Sequence, residues 1–225
     1  VRLLLVRHGQ TPSNVLRLLD TRVPGPGLTD LGEEQAGALV DALDHERVDA
    51  VWASTAVRTQ LTAGPLARAR GLEVRVHDGL RELEAGDLEM SGEDDDVLAY
   101  LLTTFAWARG DLGAHLPGAQ DGHAALARLD DGVAAVAASL SPDGTALVVS
   151  HGAAIRGWVA ARTQVSADFA SSHPLFNTGL VVVEGDPQVG WTALTWAGEP
   201  LEGPDSPLWA AGPAAEPVRP AAFGG

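Results

Sequence analysis

Two short apolar runs in this chain end in the same way. VRLLLV (residues 1–6) leads into Arg7, His8 and Gly9, and TALVVS (residues 145–150) leads into His151 and Gly152. Short runs rich in branched residues and closed by a turn residue predict buried strands. A strand buried on both faces needs cover on both, so the segments between these two runs have to supply helices.

They do so in alternation with further strands. Residues 28–46 (LTDLGEEQAGALVDALDHE) carry a helix start, with Thr29 or Asp30 ahead of Glu33 and Glu34, then apolar residues at helical spacing. A strand is predicted over 48–54, a helix over 55–71 kinked or broken at Pro65, and a short strand over 72–77. After the strand at 145–150 comes a helix over 152–164, and 179–185 and 191–198 read as a closing pair of strands. The expected fold is α/β, a three-layer α/β/α sandwich with a mostly parallel central sheet. One domain is expected over 1–197, with a mainly helical insertion at 90–142 forming a lid or side wall. Residues 198–225, dense in Pro, Gly and Ala, are expected to be a loosely attached tail.

Composition narrows the partners. Fifteen Lys and Arg stand against 30 Asp and Glu, a formal net charge of −15, so the basic footprint of a nucleic-acid binder is missing. No apolar run reaches the ~20 residues that span a bilayer. The chain opens on a strand-like run instead of a leader pattern, so a cytoplasmic protein without membrane contact is expected. With no cysteine there is no thiolate chemistry. In so acidic a chain, an anionic ligand has to be held by a specific positive pocket.

Such a pocket can be assembled from the sequence. Ligands collect at the carboxyl ends of parallel strands, and His8 and His151 each follow one, beside a glycine that lets backbone approach closely. Taken singly, either histidine reads equally well as a hydrogen-bonded structural residue. Arg7 adjoins His8, and Arg58 follows the strand that ends near Ser54, placing two guanidinium forks over one sheet edge. A proton donor for a leaving oxygen is sought in GLRELEAGDLE, where Glu82 and Glu84 follow the strand at 72–77; spacing does not choose between them. Metal-ligand spacings are missing: none of the seven histidines forms an H-x-H or H-x-x-x-H pair. The acidic run Glu93 to Asp96 reads as a solvated loop, and neither a nucleotide phosphate loop nor a G-x-S-x-G elbow is present.

In their order, RHGQTPSN, LTDLGEEQA, STAVRTQLTA, LRELEAG and VSHG resemble the histidine phosphatase superfamily, the group that includes cofactor-dependent phosphoglycerate mutase. The likeness runs from residue 2 to about 197. It implies a phosphohistidine mechanism with neither metal nor cofactor, acting on a small phosphorylated substrate. His8 would be the nucleophile, its other ring nitrogen held by a backbone carbonyl. Arg7, Arg58 and His151 would hold the phosphoryl oxygens, joined by the amide of Gly152, with Asn14 and Thr21 also contacting substrate. Glu82, at the family's L-x-E position, would inherit the proton-donor role.

Three stretches depart from the family pattern. GDLEM stands where Gly-x-Trp-x-Gly is common, Gln120 and Asp121 replace the Glu and Ser of P-G-G-E-S, and Asp20-Thr21 with RVPGPG replaces a Gln-Gly. By resemblance all three face the leaving group, which leaves substrate identity open. Phosphomonoesterase is the expectation, with a phosphomutase or a non-catalytic phosphate-binding module as alternatives. The closing strand pair could support a homodimer.

Overall fold

The computed structural model of the chain describes residues 1–201. In chain order the elements are β1 (Arg2–Arg7), α1 (Pro12–Val15), α2 (Asp30–Ala42), β2 (Ala50–Ala53), α3 (Val57–Arg70) and β3 (Val74–Val76). Then follow α4 (Asp94–Ala108), α5 (Gly122–Ala138), β4 (Thr145–Ser150), α6 (Gly152–Arg162), α7 (Ala167–Ser172), β5 (Leu180–Asp186), β6 (Gly190–Trp196) and β7 (Glu199–Pro200).

The strands form one sheet in the order β3-β2-β4-β1-β5-β6-β7. β1 to β4 run parallel, and β5 to β7 continue the sheet antiparallel. Side chains alternate between two cores because successive Cβ atoms point to opposite faces. Leu3, Leu5, Ala146, Val148, Val181 and Val183 enter the larger core, beneath α4 to α7. Leu4, Val6, Leu147, Val149 and Val182 enter the smaller one, with Leu39 of α2 and Leu66 of α3. Each such Val or Leu, fully withdrawn from water, contributes roughly 1.5–3 kcal/mol. This is the expected three-layer α/β/α sandwich.

Local signals explain most boundaries. Thr29, one of the two candidates, caps α2, its hydroxyl accepting the Gly32 N–H at 3.0 Å. Gly71 closes α3 at φ 66, where a Cβ would be strained. Of the kink or break expected at Pro65, the break is corrected: α3 runs through it as one helix, its face of Ala63, Leu66 and Ala67 buried in the smaller core. That packing outweighs the backbone hydrogen bond a proline cannot make. Helices α1 and α7, six residues or fewer, escaped the sequence patterns.

Residues 90–142 hold α4 and α5, both amphipathic enough to bury Tyr100, Phe105, Leu126 and Leu129 against the larger core. Past Gly198, Glu199 and Pro200 pair with β6, and Leu201 is buried. The rest of the sequence-predicted tail lies outside the described residues.

Candidate active site

β1 and β4 are parallel neighbours with Arg7 opposite Ser150, so the residue after each strand falls at the same sheet edge. His8 N–H donates to the Ser150 carbonyl at 3.0 Å, and the rings of His8 and His151 meet edge-on with centroids 5.3 Å apart. His8 lines a cavity of about 190 Å³ with Arg7, Asn14, Thr21, Arg58, Glu82 and Gly152, while His151 is fully buried against His8 and Arg58. The topology thus brings together every sequence-predicted site residue.

The two imidazoles differ in how they are held. Nδ1 of His8 lies 2.7 Å from the Gly9 carbonyl. A carbonyl only accepts, so Nδ1 carries the hydrogen and Nε2 keeps its lone pair. Burial first, then Arg7 and Arg58, hold its pKa well below 6.5, against the opposing pull of the Gly9 bond. For His151, Nδ1 faces Arg58 Nη2 at 3.3 Å and Nε2 faces Ser54 Oγ at 2.8 Å. A guanidinium only donates, so Nδ1 accepts and Nε2–H donates to the serine. Burial, then the Arg58 charge, depress this pKa too.

The arginines are anchored by carbonyls but not used up. Arg7 Nη1 donates to the Leu175 carbonyl at 2.7 Å, and Arg58 Nη2 to that of Asp20 at 3.1 Å. Arg7 Nε and Arg58 Nη1 are buried with no hydrogen-bond partner. Burial lowers the pKa of both guanidinium groups, which still stay charged near neutral pH. A buried donor left unpaired costs about 1–3 kcal/mol. Gly25, at φ 66 in the RVPGPG loop, lies where a Cβ would collide with Arg58 Nη1. Gly152 packs against the side chain of Arg7. As the first residue of α6, its N–H has no acceptor within the helix, and such termini favour anions.

Geometry separates the two candidate acids. Glu82 lines the cavity, and its carboxylate caps α6: Oε1 accepts from Ala154 N–H at 2.7 Å and Leu83 N–H at 2.9 Å, Oε2 from Ala153 N–H at 3.2 Å. Glu84 instead pairs with Arg81 at 3.0 Å, accepts from Gln120 N–H, and does not line this cavity. Behind Glu82, Arg128 donates to the carbonyls of Gly79, Arg81 and Glu82 at 2.9–3.1 Å. Burial brings the Arg128 pKa down to about 10.

Asn14 and Thr21 are engaged by the protein. Asn14 Oδ1 accepts from Thr11 N–H and Asn177 Nδ2, both at 3.1 Å, and Thr21 Oγ1 donates to the Glu89 carboxylate. One expectation is corrected: neither Gln120 and Asp121 nor the GDLEM stretch, Gly86 to Met90, lines the cavity. Gln120 accepts from Arg128 Nε at 3.3 Å, and Asp121 caps α5 by accepting the Ala124 N–H. Sequence patterns also missed Asn177, which donates to the His8 carbonyl at 2.9 Å, and the lining residue Arg156. No motif signalled either: Asn177 lies in a loop remote in sequence from His8, and Arg156 reads as an ordinary residue of the helix that follows His151. Among the described residues, no three His, Asp or Glu side chains converge as metal ligands, and no helix is long and apolar enough to cross a membrane.

Comparison with known families decides the relationship. The family model described as histidine phosphatase superfamily (branch 1) matches residues 3–198. The chain belongs to the histidine phosphatase superfamily. A PE-PGRS family protein of Mycobacterium tuberculosis is 36% identical over 219 residues, covering 89% of this chain. The chain spans only 37% of that relative's length. Among similar solved structures, a mycobacterial glucosyl-3-phosphoglycerate phosphatase is 27% identical with a TM-score of 0.71, covering 87% of this chain and 98% of the other. The alpha-ribazole phosphatase of Shigella flexneri is also 27% identical, with a TM-score of 0.66, covering 84% of this chain and 93% of the other.

Proposed function

We propose that the chain is a phosphomonoesterase that works through a phosphohistidine at His8 and needs no metal ion. The observation that carries this is the state of His8: neutral, with Nδ1–H tied to the Gly9 carbonyl, between two guanidiniums that keep unpaired buried donors. The Nε2 lone pair attacks phosphorus and the ester P–O bond breaks in line. Arg7, Arg58 and the Gly152 N–H meet the charge on the phosphoryl oxygens. His151 donates to them once its Nδ1 takes up a proton, which the phosphoryl charge favours.

The leaving oxygen takes its proton from Glu82. Oε1 already accepts two hydrogen bonds and Oε2 a single longer one, so Oε2 is the oxygen with room for the acid proton. Water then attacks the phosphoenzyme and gives a proton back to Glu82; the N–P bond breaks and phosphate leaves. Asn14 and Asn177 shape the pocket beside His8. The phosphatase names of the two structural neighbours support hydrolysis.

The test is hydrolysis of p-nitrophenyl phosphate, with chelator present, by the wild type and by His8→Ala. Chelator-resistant turnover lost in the variant is expected. Equal rates in both proteins, or turnover abolished by chelator, would contradict the proposal.

A further inference from the structure

Beyond the phosphate end, most of the polar side chains that line the cavity already bond the protein, with the half-exposed Arg17 the main exception. Asn14 and Asn177 bond each other, and Asn177 also serves the His8 carbonyl. Thr21 is tied to Glu89, while Tyr100 donates to the Leu83 carbonyl. Arg156 donates through Nε and Nη2 to the carbonyls of Ala170 and Ser171. Asp20 accepts from Ser13 at 2.6 Å, and Arg17 and Asp94 face each other at 3.6 Å.

What remains for a leaving group is mostly hydrocarbon. Leu18, Leu19, Val97, Leu101, Leu175 and Phe176 line the same cavity, and Phe176 is 58% exposed. A hydroxyl-rich leaving group would lose its water here with few side-chain partners to replace it, a strong basis for rejection. An anionic one would approach the acidic start of α4, Asp94 to Asp96, on a chain of net charge −15.

We propose that the substrate is the monophosphate ester of an uncharged apolar alcohol, aliphatic or aromatic, with its hydrocarbon against Leu18, Leu101 and Phe176. This rests on the phosphatase reading of the same site. It separates this chain from its structural neighbour named for a glucosyl-phosphoglycerate substrate.

Two measurements on the full chain keep the two ideas apart. The first is binding of methyl-, butyl- and hexylphosphonate by calorimetry, which needs no catalysis. The second is kcat/KM for ethyl, butyl and hexyl phosphate beside glucose 6-phosphate, all esters of primary alcohols. Affinity is expected to rise about tenfold or more from methyl to hexyl, since one buried methylene is worth roughly fourfold. Hexyl phosphate should exceed glucose 6-phosphate in kcat/KM by a similar factor. Phe176→Ser should weaken hexylphosphonate more than methylphosphonate. Flat affinity along the series, equal losses for both phosphonates in the variant, or a preference for glucose 6-phosphate would overturn the apolar site. Rising affinity with no turnover of any ester would uphold the apolar site and overturn the phosphatase reading. Failure of every phosphonate to bind would overturn both.

Discussion

His8 Nδ1 lies 2.7 Å from the carbonyl oxygen of Gly9, and this contact fixes which ring nitrogen is free to react. Burial and two neighbouring guanidiniums keep the ring neutral. Nitrogen-detected NMR at pH 6 should therefore show His8 as the neutral Nδ1–H tautomer. An ordinary titration centred near 6.5 would contradict this.

The same depression makes stability depend on pH. His8 and His151 both have folded pKa values below those of the unfolded chain, near 6.5. Between the two values the unfolded state binds more protons, so stability is present above about pH 6.5 and is lost as pH falls through that window. Thermal melts should give a lower Tm at pH 5.5 than at pH 7.5. A higher Tm at pH 5.5 would reverse the sign.

Glu82→Gln should separate leaving groups by their need for a proton. The amide oxygen can still accept from the α6 N–H groups, so the helix start survives while the acid is gone. Hydrolysis of alkyl phosphates should fall by about 10²–10⁴, and that of p-nitrophenyl phosphate much less, because nitrophenolate leaves unprotonated. Equal losses on both would assign Glu82 a role other than proton donor. Glu84→Gln, in the Arg81 pair, should affect both esters alike and weakly.

Arg58→Ala removes an unpaired donor and the partner of His151 Nδ1. A loss of about 10²–10³ in kcat/KM is expected, on the scale of deleting one preorganised donor to transition-state charge. Activity within threefold of wild type would remove Arg58 from the phosphoryl site.

Arg128 does not itself line the cavity and acts through Glu82, holding the carbonyls of Gly79, Arg81 and Glu82. Arg128→Met should destabilise the fold by about 3 kcal/mol, measured by urea unfolding, because those acceptors lose their donor. It should also lower kcat for alkyl phosphates more than for p-nitrophenyl phosphate, the same split as Glu82→Gln. A uniform loss on both esters would mean a structural role alone.

The histidine pair was legible in the sequence because its signal is local: two buried strands, each followed by His-Gly, whose register then places them side by side. Arg58 and Glu82 were legible as motif members, although only geometry separates Glu82 from Glu84. Arg128 and Asn177 were not, because each acts across long stretches of chain through backbone carbonyls that carry no sequence signature. Gln120 and Asp121 misled for a related reason. A motif gives their place in the order but not which way they turn, and they turn toward Arg128 and the start of α5. Pro65 marks the limit of local propensity, since α3 keeps its buried face through it.

The central claim is a covalent N–P bond at His8. The most direct measurement is rapid acid-free denaturation of the full chain during turnover of a ³²P-labelled ester, followed by peptide mapping. Phosphate that is labile in acid, stable in alkali and located on His8 is the predicted result. A turning-over enzyme with label on another residue, or His8→Ala retaining the label, would contradict the account.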